Sequence, residues 1–305
     1  MAEQSVALGS RLEIAYAMED SWSALPSSYN VYDFRVTGFG VQLEKDSFES
    51  EEIRSDRQTS DLRHGMYNVS GDIPVELSYG AFDDIIESAM FNTWQSDDTI
   101  EIGTTQKSFR VQRAFTDIME YHEFPGCVVS SWSLSVEPNS IITSTFSVMG
   151  KTMETSQTLT GSTTKASNAP FDSFSGYIYE GGNTSSDAIA VVTGVDFTVE
   201  NNLEALQVVA DNKPTGLAEG RSTVSGTLSA YFGSSSLLDK FLNETESAIE
   251  FQLLDTSGNS YTFYMPRIKY SGGSIEISGE SPIGISMPFT ALKDSGIGNT
   301  LKITR

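Results

Sequence analysis

Ile73, Val75 and Leu77 alternate with Pro74, Glu76 and Ser78, the period of two that marks a strand with one buried and one wet face. Trp132, Leu134 and Val136 alternate with Ser131, Ser133 and Ser135 in the same way. After a turn at Pro138-Asn139-Ser140, Ile142, Phe146 and Val148 share one face while Thr143, Thr145 and Ser147 share the other. The pattern predicts an antiparallel hairpin with one small, neutral, polar face.

One stretch carries the other period. In residues 81–91, Phe82, Ile85, Ile86, Ala89 and Met90 follow the i, i+3, i+4, i+7, i+8 spacing of an amphipathic helix. Asp83 and Asp84 fall near its N-terminus, where negative charge suits the helix dipole. The helix is expected to cover a sheet, with no metal role for the two aspartates. Between 151 and 187 both periods lapse into Ser, Thr, Gly and Asn, which reads as a linker or a surface excursion. Strands are expected to resume at Ile189-Ala190-Val191-Val192.

These elements recur. Val36-Thr37-Gly38 returns as Val192-Thr193-Gly194, and Val69-Ser70-Gly71 as Val224-Ser225-Gly226. At that second spacing Ile73, Val75 and Leu77 fall on Leu228, Ala230 and Phe232, so the alternation stays in phase. Leu237, Leu238, Phe241 and Leu242 within 234–243 make a second helix face. Ser108–Arg113 pairs with Thr262–Arg267, and Ile142–Met149 with Ile283–Phe289. The repeat predicts two copies of one module: strand, long polar connection, strand, helix, then several strands. The fold class is therefore mainly β, with two tandem sandwich or barrel-like domains, each flanked by one α-helix. Residues 1–150 hold the first copy, 151–187 the Ser/Thr-rich linker and 188–305 the second. The first connection, 44–66, is dense in charge without a steady period, and its counterpart lies at about 204–221. Loops of that length in compact domains are usually functional or disordered.

Composition narrows the function. Apolar residues make up 38% of the chain, enough for packed cores. The formal net charge of −22 disfavours gripping nucleic acid or an anionic membrane. Cys127 is the only cysteine, so neither an intrachain disulfide nor a cysteine zinc cluster is expected. The opening Met1-Ala2-Glu3-Gln4 lacks the basic and apolar regions of an export signal, so synthesis in the cytoplasm is expected. His64 and His122 have no partner at a metal-ligand spacing. No Gly-x-Ser-x-Gly elbow or phosphate-binding glycine loop is present. Arg113 and Arg267, at matching positions in the repeat, read as half-buried arginines paired with carboxylates. No catalytic, cofactor-binding or metal residue is expected.

Ser50-Glu51-Glu52-Ile53-Arg54-Ser55-Asp56-Arg57-Gln58, followed by Gly71-Asp72-Ile73-Pro74-Val75-Glu76-Leu77-Ser78-Tyr79-Gly80 and Phe82-Asp83-Asp84, resembles the major tail tube proteins of siphophages. Glu19-Asp20-Ser21-Trp22, Arg35-Val36-Thr37-Gly38 and the later Phe263-Tyr264-Met265-Pro266-Arg267-Ile268-Lys269 suit the same family. The resemblance implies a non-enzymatic virion protein of the phage tail, without cofactor or metal. Six tube domains would form a ring whose inner strands join into one barrel, and rings would stack into a conduit for DNA ejection. Its partners would be other copies of itself together with the tail tip, tail terminator and tape-measure proteins. DNA would transit the lumen without specific binding.

With two domains per chain, three chains close such a ring, giving a homotrimer with pseudo-sixfold symmetry. Ser131, Ser133, Thr143 and Thr145 are the candidates for the lumen wall. Glu49, Glu51, Glu52, Arg54, Asp56 and Arg57, in the charged connection, are the candidates for ring stacking. The rival readings are a virion adhesin or binding module built on the same sandwiches, and a secreted β-sandwich glycosidase or lyase.

Overall fold

The computed structural model describes residues 6–52, 55, 58, 61–156, 161–181, 192–276 and 281–305. The first half contains β1 (Leu12–Met18), β2 (Val31–Asp33), β3 (Gln42–Glu49), β4 (Leu62–Glu76), α1 (Asp83–Met90), β5 (Thr99–Glu101), β6 (Phe109–Phe115), β7 (Glu120–Val136) and β8 (Thr143–Gly150). A connecting stretch holds β9 (Glu154–Ser156), β10 (Thr163–Thr164) and β11 (Gly176–Glu180). The second half contains β12 (Val192–Glu200), β13 (Glu204–Leu206), β14 (Gly216–Ala218), β15 (Thr223–Tyr231), α2 (Ser236–Leu242), β16 (Ser247–Leu254), β17 (Ser260–Tyr270), β18 (Ser274–Glu276), β19 (Gly284–Ala291) and β20 (Lys302–Thr304).

Cross-strand pairing assembles one long antiparallel sheet in the order β3–β4–β8–β7–β12–β15–β19, bordered by the C-terminal part of β17 and by β18. Two smaller sheets pack against its apolar side. One runs β10–β2–β1–β6–β7–β9 and the other β11–β16–β17–β20–β5. β7 and β17 belong to two sheets each because both bend, β7 at Pro125-Gly126 and β17 at Pro266. A proline there costs no ladder bond, because the pairing is already interrupted at the bend.

The two halves repeat at the level of register. The Val36–Val75 bridge corresponds to Val192–Ala230, and Leu43–Val69 to Val199–Val224. Ile73 faces Phe146 as Leu228 faces Met287. The irregularity between Phe109–Cys127 and Val111–Phe124 recurs between Ser247–Ile268 and Ile249–Met265. Across these pairs β3 maps onto β12 at an offset of 156, β4 onto β15 at 155, and β7 and β8 onto β17–β18 and β19 at 141. β1 pairs with β6 as β11 pairs with β16, so the counterpart of β1 falls inside the stretch read as a linker.

One sequence match does not hold. Ser108–Arg113 lies along β6, the first strand of its hairpin, whereas Thr262–Arg267 lies on β17, the second strand of the other. The registers set Pro125, not a residue of β6, against Pro266. Both strands alternate apolar and polar residues, so a shift between neighbouring strands leaves the pattern intact.

One large apolar core runs through both halves. Trp132 is fully buried, stacks on Phe146 at 5.7 Å and also meets Phe197 at 5.6 Å and Phe263 at 6.1 Å, so its ring ties the first half to the second. α1 buries Ile85, Ile86, Ala89 and Met90 completely and ends at Phe91, in the left-handed conformation. α2 is looser: Leu237 is buried, while Leu242, expected on the apolar face, is 66% exposed. The Ser/Thr-rich stretch is held down where it has rings. Phe171 is fully buried, its backbone bonds to Leu77 and Ile142, and β11 pairs along β16. The expected strand start at Ile189–Val191 lies outside the described residues; β12 begins at Val192.

Candidate functional site: a polar sheet face and two open edges

The side of the long sheet facing away from the core is built of hydroxyls. One rung runs Pro74–Thr145–Ser133–Thr198–Ser225–Thr290–Lys269, each residue directly opposite the next. A second runs Asp72–Ser147–Ser131–Glu200–Thr223, and a third Glu76–Thr143–Ser135–Asp196–Thr227–Pro288. Alternation places Ile73, Phe146, Trp132, Phe197 and Leu228 on the other side, so one face is dry and the other wet. The four expected wall residues, Ser131, Ser133, Thr143 and Thr145, all stand on this wet face.

Its charge is mostly negative: Asp72, Glu76, Asp196 and Glu200 project from it, with Lys269 at one border. Ser147 donates to Asp72 at 2.6 Å, and Ser135 donates across the junction of the two halves to Asp196 at 2.5 Å. The expected wall residues all lie in the first half, and the second half supplies an equal share of the face. Its signal was present, since Asp196, Thr198 and Glu200 alternate with Val195, Phe197 and Val199.

The sheet is open at both borders. Among the described residues, β3 pairs only with β4, and β18 only with β19. Residues 42–49 and 62–68 are strand, not the irregular connection expected. The hairpin they form runs past the sheet from Asn68 to Leu62, about 20 Å at roughly 3.4 Å per residue. Both of its faces are largely exposed, which removes the alternation that would have announced it. Phe48, 63% exposed, and Leu62, 50% exposed, sit near its tip. Of the expected stacking residues, Glu49 ends β3 and Glu51 and Glu52 follow it, all exposed. Arg54, Asp56 and Arg57 lie outside the described residues. The hairpin's base is tied to the second half, where the Tyr67 amide donates to the Asn212 carbonyl at 2.8 Å.

The paired-arginine expectation divides. Arg267 makes a two-pronged bond to Glu246, at 2.6 and 2.8 Å, and this holds the Glu246 carboxyl below its ordinary value. Arg113 instead lies over the rings of Phe39, Phe115 and Phe124 and contacts His122 Nδ1 at 2.9 Å. Burial lowers the Arg113 pKa, and burial together with the Arg113 charge lowers that of His122. Asp83 accepts from the Tyr261 hydroxyl and pairs with Arg305, closing the C-terminus onto the start of α1. Among the described residues no cluster of three or more His, Cys, Asp or Glu is placed to hold a metal ion.

Two halves that repeat in register and share one continuous sheet, wet on one side and dry on the other, define a mainly β protein. A model of the phage tail tube protein family matches residues 9–291, and the chain belongs to that family. It is a structural protein of the phage tail, and membership implies self-assembly into a tube. No curated protein matches it.

Proposed function

We propose that three copies of this chain close a ring of six tube domains, and that rings stack into the conduit through which phage DNA is ejected. In this reading residues 1–150 hold the first copy and 188–305 most of the second, whose first strand, β11, lies in the stretch between them. The observation that carries this reading is the junction of β7 with β12. There the first half donates a sheet border to the second half of the same chain, which is the operation a ring repeats. Closure removes the two exposed edges, which otherwise invite uncontrolled pairing.

In this arrangement the hydroxyl face lines the lumen. Three chains carry a formal charge of −66, three times −22. A wall dominated by hydroxyls and carboxylates, with Lys269 only at its border, gives phosphates few cationic partners, so DNA passes without specific binding. The projecting β3–β4 hairpin, with Glu49, Glu51, Glu52, Arg54, Asp56 and Arg57, reaches the next ring and sets a salt-sensitive contact. The tail tip and tail terminator proteins meet the two ends of the stack, and the tape-measure protein fills the bore before DNA. The chain is made in the host cytoplasm and ends in the virion.

Electron microscopy of the purified protein tests the reading. Hollow tubes or three-lobed rings are expected, and a monomer that persists at high concentration would refute it. Deleting residues 50–58 is expected to leave rings and abolish long tubes.

A further inference from the structure

The internal repeat predicts not only that the open borders meet but in which register. Resting on the ring reading above, we infer that β18 of one chain pairs antiparallel with the β3 line of the next, with Gln42 opposite Ser274, Val41 opposite Ile275 and Glu44 opposite Gly272.

The derivation uses the seam already formed inside the chain. There Thr198 faces Ser133, Phe197 faces Leu134 and Glu200 faces Ser131. The β12 residues of these pairs map onto Gln42, Val41 and Glu44 of the first copy, at the offset of 156 fixed by the β3–β4 and β12–β15 registers. The β7 residues map onto Ser274, Ile275 and Gly272, at the offset of 141 fixed by the β7–β8 and β18–β19 registers. Neither offset was taken from the seam itself, and the two sides agree in face as well as position. Gln42 stands opposite Ser70 on the wet side, and Ser274 stands opposite Ser286, also on the wet side.

Burial points to the same occupant. Leu134, covered by β12, is 2% exposed, whereas its counterpart Ile275 is 40% exposed on a strand with one neighbour. A branched apolar side chain at a bare border is what a second copy of the β3 line would cover. The counterpart of Phe197 is Val41, already fully buried by its own copy, so the incoming strand brings a finished apolar side. The two seams are not identical. Gly273 takes the place of Trp132, and the space is filled from within by Met287 and Leu238, which stand 3.0 and 3.1 Å from where a Cβ would be. The seam between chains is therefore the less tightly stapled of the two, and rings should come apart there into whole chains.

The test is a disulfide between Gln42→Cys and Ser274→Cys in one chain, since directly opposed strand residues lie within disulfide reach. Oxidation of assembled protein is expected to give bands of one, two and three linked chains on a non-reducing gel, and no more than three within a ring. Tubes that form but link only through a shifted pair, Glu44→Cys with Ser274→Cys, would overturn this register and leave the tube reading standing. Absence of rings and tubes from the unsubstituted protein would overturn both. A second variant, Ile275→Asp, is expected to lose ring formation while its melting temperature as a monomer is unchanged; rings as abundant as in the parent would overturn the inference independently.

Discussion

A side chain at Gly226 would meet the carbonyl oxygen of Asp196 at 2.1 Å. In the first half, one at Gly71 would meet the carbonyl of Gly40 at 2.3 Å. Gly40 and Asp196 are counterparts at the same offset that relates β3 to β12, so the glycine that recurs in Val-Ser-Gly answers one close backbone approach made twice. Gly226→Ala is expected to destabilise the chain by about 1–3 kcal/mol through forced separation of β12 from β15. Urea denaturation measures it. Gly284→Ala is the control, since the nearest atom to its added carbon is 4.0 Å away.

Trp132 is shared by both halves, and its indole nitrogen donates to the Ser144 hydroxyl at 2.7 Å. Trp132→Ala is expected to cost about 3–5 kcal/mol. Because Phe146, Phe197 and Phe263 all lose a neighbour, both halves should melt together at a lower temperature. Calorimetry showing one half unaffected would contradict the shared core.

His122 supplies a pH dependence. Its pKa is lowered in the folded chain by burial first and the Arg113 charge second, while in the unfolded chain it is near 6.5. The unfolded state therefore binds the proton more readily below that value. The stability His122 contributes is present above pH 6.5 and is lost as pH falls through the lower folded value. Melting temperatures between pH 7.5 and 5 should fall less steeply in His122→Gln than in the parent.

Cys127 is buried and its thiol is pushed upward, mainly by burial. It should stay unlabelled by maleimides until the chain unfolds. Thiols introduced elsewhere can then be followed against a silent background.

Thr198→Cys uses that background to test which face lines the bore. Thr198 is half-buried on the wet side, between Ser133 and Ser225. A maleimide carrying a long polyethylene glycol chain should label the dissociated chain and fail to label the tube. Equal rates in both would place this face outside.

Much of the molecule was legible before folding was considered. Alternation named the wet and dry sides of β8 and of β7 from Ser131 to Val136, because these stretches sit between a core and solvent. The i, i+4 spacing named the buried face of α1 for the same reason. Where that boundary was missing, so was the signal. β3 and the outer part of β4 have solvent on both sides and read as a loop. Arg113 looked like Arg267 in sequence, yet one entered a ring of aromatics and the other found Glu246.

The sequence by itself determined which side of each half-buried strand is wet, the position of α1 and the presence of a repeat, since these follow from local period and composition. Only the tertiary structure decided the partners: that β7 pairs with β12, that Phe171 straps the Ser/Thr-rich stretch to Leu77 and Ile142, and that Pro125 rather than a residue of β6 matches Pro266. Pairing is a choice among strands with the same alternation, and hydrogen bonds between backbones carry no side-chain signature. Register is settled when the whole core closes around residues such as Trp132.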